Sequence, residues 1–335
     1  MIYFSAYPPY DNGNPAIKLF HNSLVNEGLV HLQFNFTFFN ILKNSNKKIA
    51  LIFHWPSYLW RSNSYFINWI KLFRFIALCV CAKFAGYKLI WSAHNTLPHE
   101  YKSITVERIG RLFMLRYFNL IVNHSYNARL ERMELFGSTG RKEALAIHGH
   151  YEDEYVSDDS FSRNVLQLPY DAKVFFLQVN GKQYKGDAAF VDFFISHAKP
   201  NQYLVLMGKV SFVNVSEKVR VVEGYLSNSE MASLIQLSDF VVLPYNKITT
   251  SGAFMLAVTL KKPIIASRLP FFEEHMHKGC GLLFDLDKQA SLLNIFEEIY
   301  KGWIPDMQML YEQKKTYTWE KASKNVFIAI QDLFN

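Results

Sequence analysis

The stretch DFVVLPYNKITTSGAFMLAVTLKKPIIAS, Asp239 to Ser267, decides the fold. Phe240–Leu243 is a short apolar, β-branched run of the kind that forms a buried parallel strand. Pro244 ends it, and Asn246–Thr250 reads as a polar loop. Thr250 and Ser251 are good helix N-caps, and Gly252 lets another group approach the backbone closely. Ala253–Leu260 is helical in composition, Lys261-Lys262-Pro263 stops the helix, and Ile264–Ala266 is the next strand. Strand, hydroxyl-rich loop, helix, strand is half of a nucleotide-binding α/β layer. The free N–H groups at such a helix start suit an anion, with a diphosphate as the natural guest. The bland role of the Thr-Ser pair is simply to cap the helix.

Working outward, the same alternation fills the chain. Ile2–Ala6, His31–Phe36, Lys48–His54, Lys88–Ala93, Leu120–Asn123 and Ala144–Ile147 read as strands, with helices between them that include a long one at Ser64–Ala85. Tyr151–Tyr170 is acidic and weakly patterned, and reads as a linker. A second series follows, with strands at Val174–Val179, Tyr203–Met207, Val219–Val222 and Gly281–Phe284, and a last helix at about Trp319–Phe334. Strand–helix alternation of this kind gives doubly wound, mostly parallel sheets. The expected domains are residues 1–160 with the helix 317–335 crossing back, and residues 165–316.

Composition sets the class. The 335 residues are half hydrophobic and 19% charged, enough for two sizeable cores and too apolar for disorder. The net charge of +7 favours an anionic partner: nucleic acid, an anionic membrane or a phosphorylated substrate. Cys79, Cys81 and Cys280 have no metal-ligand spacing, and an intracellular reduced state fits them. The first residues show no signal-peptide pattern.

In parallel sheets the ligand-binding groups lie beyond the carboxyl ends of the strands. Those ends carry Asp11, His54, His94, His124, His148, Lys182, Lys185 and Thr249–Gly252, which makes a cleft between two such domains the expected site. Lys182 and Lys185, set between Gly181 and Gly186, offer two point charges to a diphosphate; the alternative is a solvated turn. The spacing is not GxxxxGK[ST], which argues against a P-loop ATPase. His94–Glu100 brings two imidazoles and a carboxylate into seven residues, without the HExxH spacing of a zinc site. The helix at Ser64–Ala85, with Trp55, Tyr58, Trp60 and Arg61 nearby, is either core or an aromatic and basic face for a membrane.

These segments together resemble GT-B fold glycosyltransferases, in particular the family-4-like bacterial enzymes of exopolysaccharide and O-antigen synthesis. The matching pieces run nearly end to end: DNGNPAIKLF, IFHWPSYLWR, WSAHNTLPHE, IHGHY, GKQYKG, TSGAFMLAVTLKKPIIAS and TYTWEKAS. The resemblance implies two Rossmann-like domains and a nucleotide-diphosphate sugar, UDP- or GDP-linked, as co-substrate. Gly181, Lys182, Lys185, Tyr245, Thr249, Thr250, Ser251 and Gly252 would hold the donor without metal or other cofactor, and His94 would contact its sugar. The acceptor would be a lipid-linked saccharide or oligosaccharide, and the base Glu100, Asp11 or His94. The enzyme would sit peripherally on the anionic inner face of the cytoplasmic membrane and bind no nucleic acid. Two departures stand out. Ile147 replaces a proline, and Ile248 and Leu256 occupy the positions of the two glutamates that retaining members carry, which implies inversion. The rival readings are a GT-B nucleotide-sugar epimerase and, outside enzymes, a nucleic-acid binder suggested by charge alone.

Overall fold

A computed structural model describes residues 1–8, 15–98, 103–152, 154–179, 181–210 and 216–335. The chain forms two compact units, residues 1–149 with 318–335, and residues 150–317.

In unit 1 the elements are β1 (Ile2–Tyr7), α1 (Pro15–Asn26), β2 (Val30–His31), α2 (Phe38–Lys43), β3 (Lys48–Phe53), α3 (Tyr65–Phe84), β4 (Lys88–Ala93), α4 (Ile104–Tyr117), β5 (Leu120–Asn123), α5 (Tyr126–Phe136) and β6 (Lys142–Leu145). Unit 2 holds β7 (Lys173–Gln178), α6 (Asp187–His197), β8 (Gln202–Met207), β9 (Val219–Val222), α7 (Asn228–Leu237), β10 (Phe240–Leu243), α8 (Gly252–Thr259), β11 (Ile264–Ser267), α9 (Pro270–His275), β12 (Gly281–Phe284), α10 (Gln289–Tyr300) and α11 (Met307–Thr316). The last helix, α12 (Trp319–Phe334), belongs to unit 1, where it packs on α1, β5 and β6.

Each sheet has six parallel strands, in the orders β2-β1-β3-β4-β5-β6 and β12-β11-β10-β7-β8-β9. Parallel strands are covered by helices on both faces, which is why they read as unbroken apolar runs: all four residues of β5, β10 and β11 are buried. Serine caps start α3, α4, α5, α7 and α8, each hydroxyl accepting a backbone N–H three residues on. The winding direction reverses between β1 and β3 in one sheet and between β7 and β10 in the other. At such a switch point the helices on either side splay apart and leave a crevice at the carboxyl edge.

Several sequence expectations need correction. The second strand is Val30–His31 and not His31–Phe36. After Leu32 N–H bonds to the Phe4 carbonyl, Phe34 and Phe36 turn their rings onto the unit 1 core. The sixth strand starts earlier, at Lys142. Tyr151–Tyr170 is not a free linker: Tyr151, Leu166 and Leu168 are buried, and Tyr151 N–H bonds to Thr259 Oγ1. Three helices, α2, α9 and α11, were not anticipated.

Candidate active site

In unit 2 the switch point gathers two loops. β7 and β10 are neighbours, with Phe240 opposite Phe175 and Val241 opposite Phe176, so the segments that leave their carboxyl ends emerge together. Gly186 is what lets them touch. It has φ +67°, and a Cβ there would stand 2.0 Å from the Pro244 carbonyl oxygen, so no larger residue fits. Asn246 N–H donates to the Tyr184 carbonyl at 2.8 Å, a second clasp between the loops.

This contact sets Lys185 on Tyr245. The Nζ donates to the phenol oxygen at 2.6 Å and lies 3.8 Å from the ring centroid. Burial pushes the Lys185 amine down to about 8, opposed by the nearby Asp187 carboxylate and assisted by Lys182. Burial raises the Tyr245 phenol, which stays protonated and also hydrogen-bonds Ser251. Ser251 caps α8 through Phe254 N–H at 3.1 Å. Thr249 is buried and Thr250 half-buried just before it, and Gly252 is exposed at the helix start. A Cβ on Gly252 would meet the Tyr151 hydroxyl at 2.7 Å. Gly181 and Lys182 are exposed in the same loop as Lys185. A half-desolvated ammonium beside a helix N-terminus is an arrangement for holding a phosphate oxygen.

A cavity of about 160 Å³ adjoins these loops, lined by Gly186, Phe190, Pro244, Asn246, Asp285 and Lys288 among others. Asp285, first of the Asp285-Leu286-Asp287 triplet, has its carboxylate accepting from Arg268 Nε at 2.7 Å. Among the described residues no group of three His, Cys, Asp or Glu side chains is placed to hold a metal ion.

In unit 1 the strand ends carry imidazoles. His54 follows β3, His94 follows β4, His124 follows β5, and His148 stands three residues past β6. His94 is stacked between Trp55, at 4.6 Å between centroids, and His124, at 4.0 Å. Its Nε2 lies 3.0 Å from His54 Nδ1 and 3.3 Å from Ser92 Oγ. His54 Nε2 in turn lies 3.0 Å from His21 Nε2. The protons can be placed from the one end where the partner can only accept. His124 Nδ1 faces the Ala146 carbonyl at 2.7 Å and so carries the hydrogen. Its Nε2 then accepts from Ser92 Oγ at 2.8 Å. A consistent set follows in which His94 Nε2–H donates to Ser92 and His54, and His54 Nε2–H donates to His21.

All of these rings are neutral. Burial is the largest cause for each, pushing His21 down to about 3 and His124 and His148 to about 4. His54 and His94 are held well below the usual imidazole range by burial, reinforced by mutual repulsion among the rings. His94 is thus a poor proton acceptor and a well-fixed polar group. Sequence reasoning placed His54, His94, His124 and His148 at the strand ends and missed His21 and Ser92, which complete the chain. Asp11 and Glu100 lie outside the described residues.

Comparison with known proteins agrees with this geometry. No protein-family model matches the chain. Two GDP-mannose:glycolipid 4-beta-D-mannosyltransferases of Xanthomonas campestris pv. campestris are 22% and 24% identical over 311 residues, covering 88% of this chain and 82% of theirs. Among solved structures, Anabaena Alr3699/HepE in complex with UDP superposes with TM-score 0.71 at 13% identity over 99% of each chain. Sucrose-phosphate synthase from Thermosynechococcus elongatus gives 0.69 at 12% identity, over 99% of this chain and 98% of its own. Two parallel six-stranded sheets, the clasped loops at a switch point and these near-full-length similarities make the chain a glycosyltransferase of the GT-B fold.

Proposed function

We propose that the chain transfers a hexose from a UDP- or GDP-linked sugar to a lipid-linked saccharide in surface-polysaccharide synthesis. Transfer inverts the anomeric configuration, needs no metal ion, and takes place at the anionic inner face of the cytoplasmic membrane. The observation that carries this reading is Lys185, held on Tyr245 at 2.6 Å beside the α8 N-terminus. As the anomeric bond breaks, negative charge grows on the leaving diphosphate. Lys185, Lys182 and the amides that open α8 offset that charge, the task a divalent cation performs elsewhere. Thr249 and Thr250 complete the loop around it.

The Xanthomonas relatives support the acceptor class, since their name gives a glycolipid acceptor, GDP-mannose as donor and a β linkage as product. Ile248 and Leu256 support inversion, since neither offers a carboxylate at the positions that would carry one in a retaining member. Inversion requires a base on the acceptor side. The depressed basicity of His94 favours Asp11 and Glu100 for that role and leaves His94 as an orienting group for the donor sugar.

The test is a transfer assay with UDP- and GDP-sugars on a glycolipid acceptor, with and without EDTA, and with the product anomer read by NMR. Turnover that survives EDTA and an inverted product are expected. A retained configuration overturns the inverting mechanism, and loss of turnover in EDTA moves attention to Asp285 and Asp287.

A further inference from the structure

Charge is distributed unevenly along this chain. Between Glu27 and Glu100 there is no acidic residue, while eight Lys and Arg fall between Lys43 and Lys88. The whole chain has 36 cations against 29 acids, so the remainder holds 28 against 29. The entire positive excess therefore resides in residues 28–99, the segment containing α2 and α3.

α3 has two apolar faces. Asn68, Leu72, Phe75, Leu78, Cys79 and Ala82 are buried on one. On the other, Phe66, Ile70, Phe73, Ala77 and Phe84 recur at i, i+4, i+7, i+11 and i+18, a single stripe on a helix of 3.6 residues per turn. That stripe is open: Phe66 is 72% exposed, Phe73 62% and Phe84 88%. The exposed Lys71 and Arg74 flank it. α2 packs beside α3 and adds exposed Phe38, Phe39 and Leu42, with Ile41 alone of its residues buried. Of the aromatic residues expected on this surface, Trp60 is instead core, 1% exposed beneath Arg111, and Trp55 is half-buried on His94.

An open apolar stripe of this length is rare on a surface that meets only water. α3, at 20 residues, is long and apolar enough to span a bilayer, but its inner face is committed to the unit 1 core. It can therefore lie along a membrane without crossing one. The segment matches a leaflet: aliphatic and aromatic carbon at the centre, cations at the flank, and no acidic residue within residues 28–99 to repel anionic headgroups. Nucleic acid fits the cations but not Ile70, Ala77 and Leu42, which give no stacking surface.

We infer that the outer faces of α2 and α3 form the membrane-seating surface of this protein, inserted among the headgroups of an anionic leaflet. The inference rests on the membrane location proposed above and gives it an address independent of the donor site. The experiment is flotation of the full chain with phosphatidylcholine vesicles and with vesicles containing phosphatidylglycerol, for the wild type, Phe66→Ser/Phe73→Ser, and a control, Tyr170→Ser, which is 96% exposed in unit 2. Wild type and control should partition onto the anionic vesicles, and the double variant should lose about tenfold or more in partitioning. All three should bind nucleoside diphosphates alike. Equal flotation of wild type and double variant overturns the assigned face while leaving membrane location intact. Failure of the wild type to float, or tighter binding to RNA than to vesicles at the same salt, overturns both and leaves the glycosyltransferase reading untouched.

Discussion

At the β7/β10 edge of unit 2 the polar groups are lysines that reach the surface, the amides that open α8, and hydroxyls that are buried or half-buried around them. At the β3–β6 edge of unit 1 they are imidazoles withdrawn from water and bonded to one another, to Ser92 or to backbone carbonyls. Both edges arise from the same winding, so topology does not account for the difference. One edge keeps an ammonium half-desolvated, with a buried carboxylate nearby in Asp187, so that an arriving anion finds charge already in place. The other surrounds its titratable rings with further rings, and burial together with their mutual repulsion keeps charge off them. On this reading the charge stabilisation of glycosyl transfer belongs to unit 2, while the histidines of unit 1 hold shape and hydrogen-bond direction.

The sharpest way to break that contrast is to remove the base. Either Asp11→Asn or Glu100→Gln should cost about 10²–10⁴ in turnover with donor affinity unchanged, and His94→Gln should cost less. Single-turnover kinetics with calorimetric donor binding checks this. If His94→Gln showed the greatest loss with donor affinity intact, the neutral-frame reading of unit 1 would be wrong.

Next in size is the clasp between the loops. Gly186→Ala puts a methyl into the Pro244 carbonyl at positive φ and should cost unit 2 about 3 kcal/mol or more in urea unfolding. Gly181→Ala has a similar φ of +68° but meets nothing within 4 Å, and should cost only about 1 kcal/mol. Equal losses would mean that the loop contact contributes little.

Lys185→Ala should weaken nucleoside diphosphate binding by about 1–3 kcal/mol and leave nucleoside binding alone. In the wild type, diphosphate affinity should decline as pH rises through about 8, because above that value the free amine must take up a proton to bind. Titration calorimetry at pH 7 and 9 measures both effects.

The smallest effect sharpens the comparison from the other side. His21, His54, His94, His124 and His148 all have lowered folded values, so the unfolded chain binds protons more readily. Their contribution to stability is complete above the ordinary imidazole value near 6.5 and declines as pH falls below it. Each such ring should remove about 1 kcal/mol between pH 6.5 and 5.5. His21→Gln should flatten the acid side of the stability profile by about one ring's share; an unchanged slope would show that the cluster takes up protons while folded.

Much of the fold was legible because buried parallel strands leave an unambiguous trace: Phe240–Leu243 and Ile264–Ser267 are apolar on both faces and end in polar or turn residues. The strand-end histidines were legible for the same reason, since the end of a strand fixes where its next residue points. What joins them was not. His21 sits on a helix, and only packing brings it to His54. Gly186 reads as an ordinary turn glycine until Pro244, 58 positions later, is seen against it. Helices of six residues such as α2 and α9 carry too few turns for periodicity to register. The aromatic run around Trp60 shows hydrophobicity without direction, so the core ring and the open stripe of Phe66 and Phe73 look alike in sequence.

The return of α12 bears on how the protein is made. Ser323 bonds to Ser23 at 2.7 Å, and Trp319 packs against Phe20 and His148, so unit 1 is finished by residues that leave the ribosome only after all of unit 2. Unit 2, continuous in sequence, can fold while its predecessor still waits with an uncovered flank. At translation rates of about 5–20 residues per second that wait lasts on the order of ten seconds or more, a period in which the uncovered flank of the nascent first unit is open to aggregation.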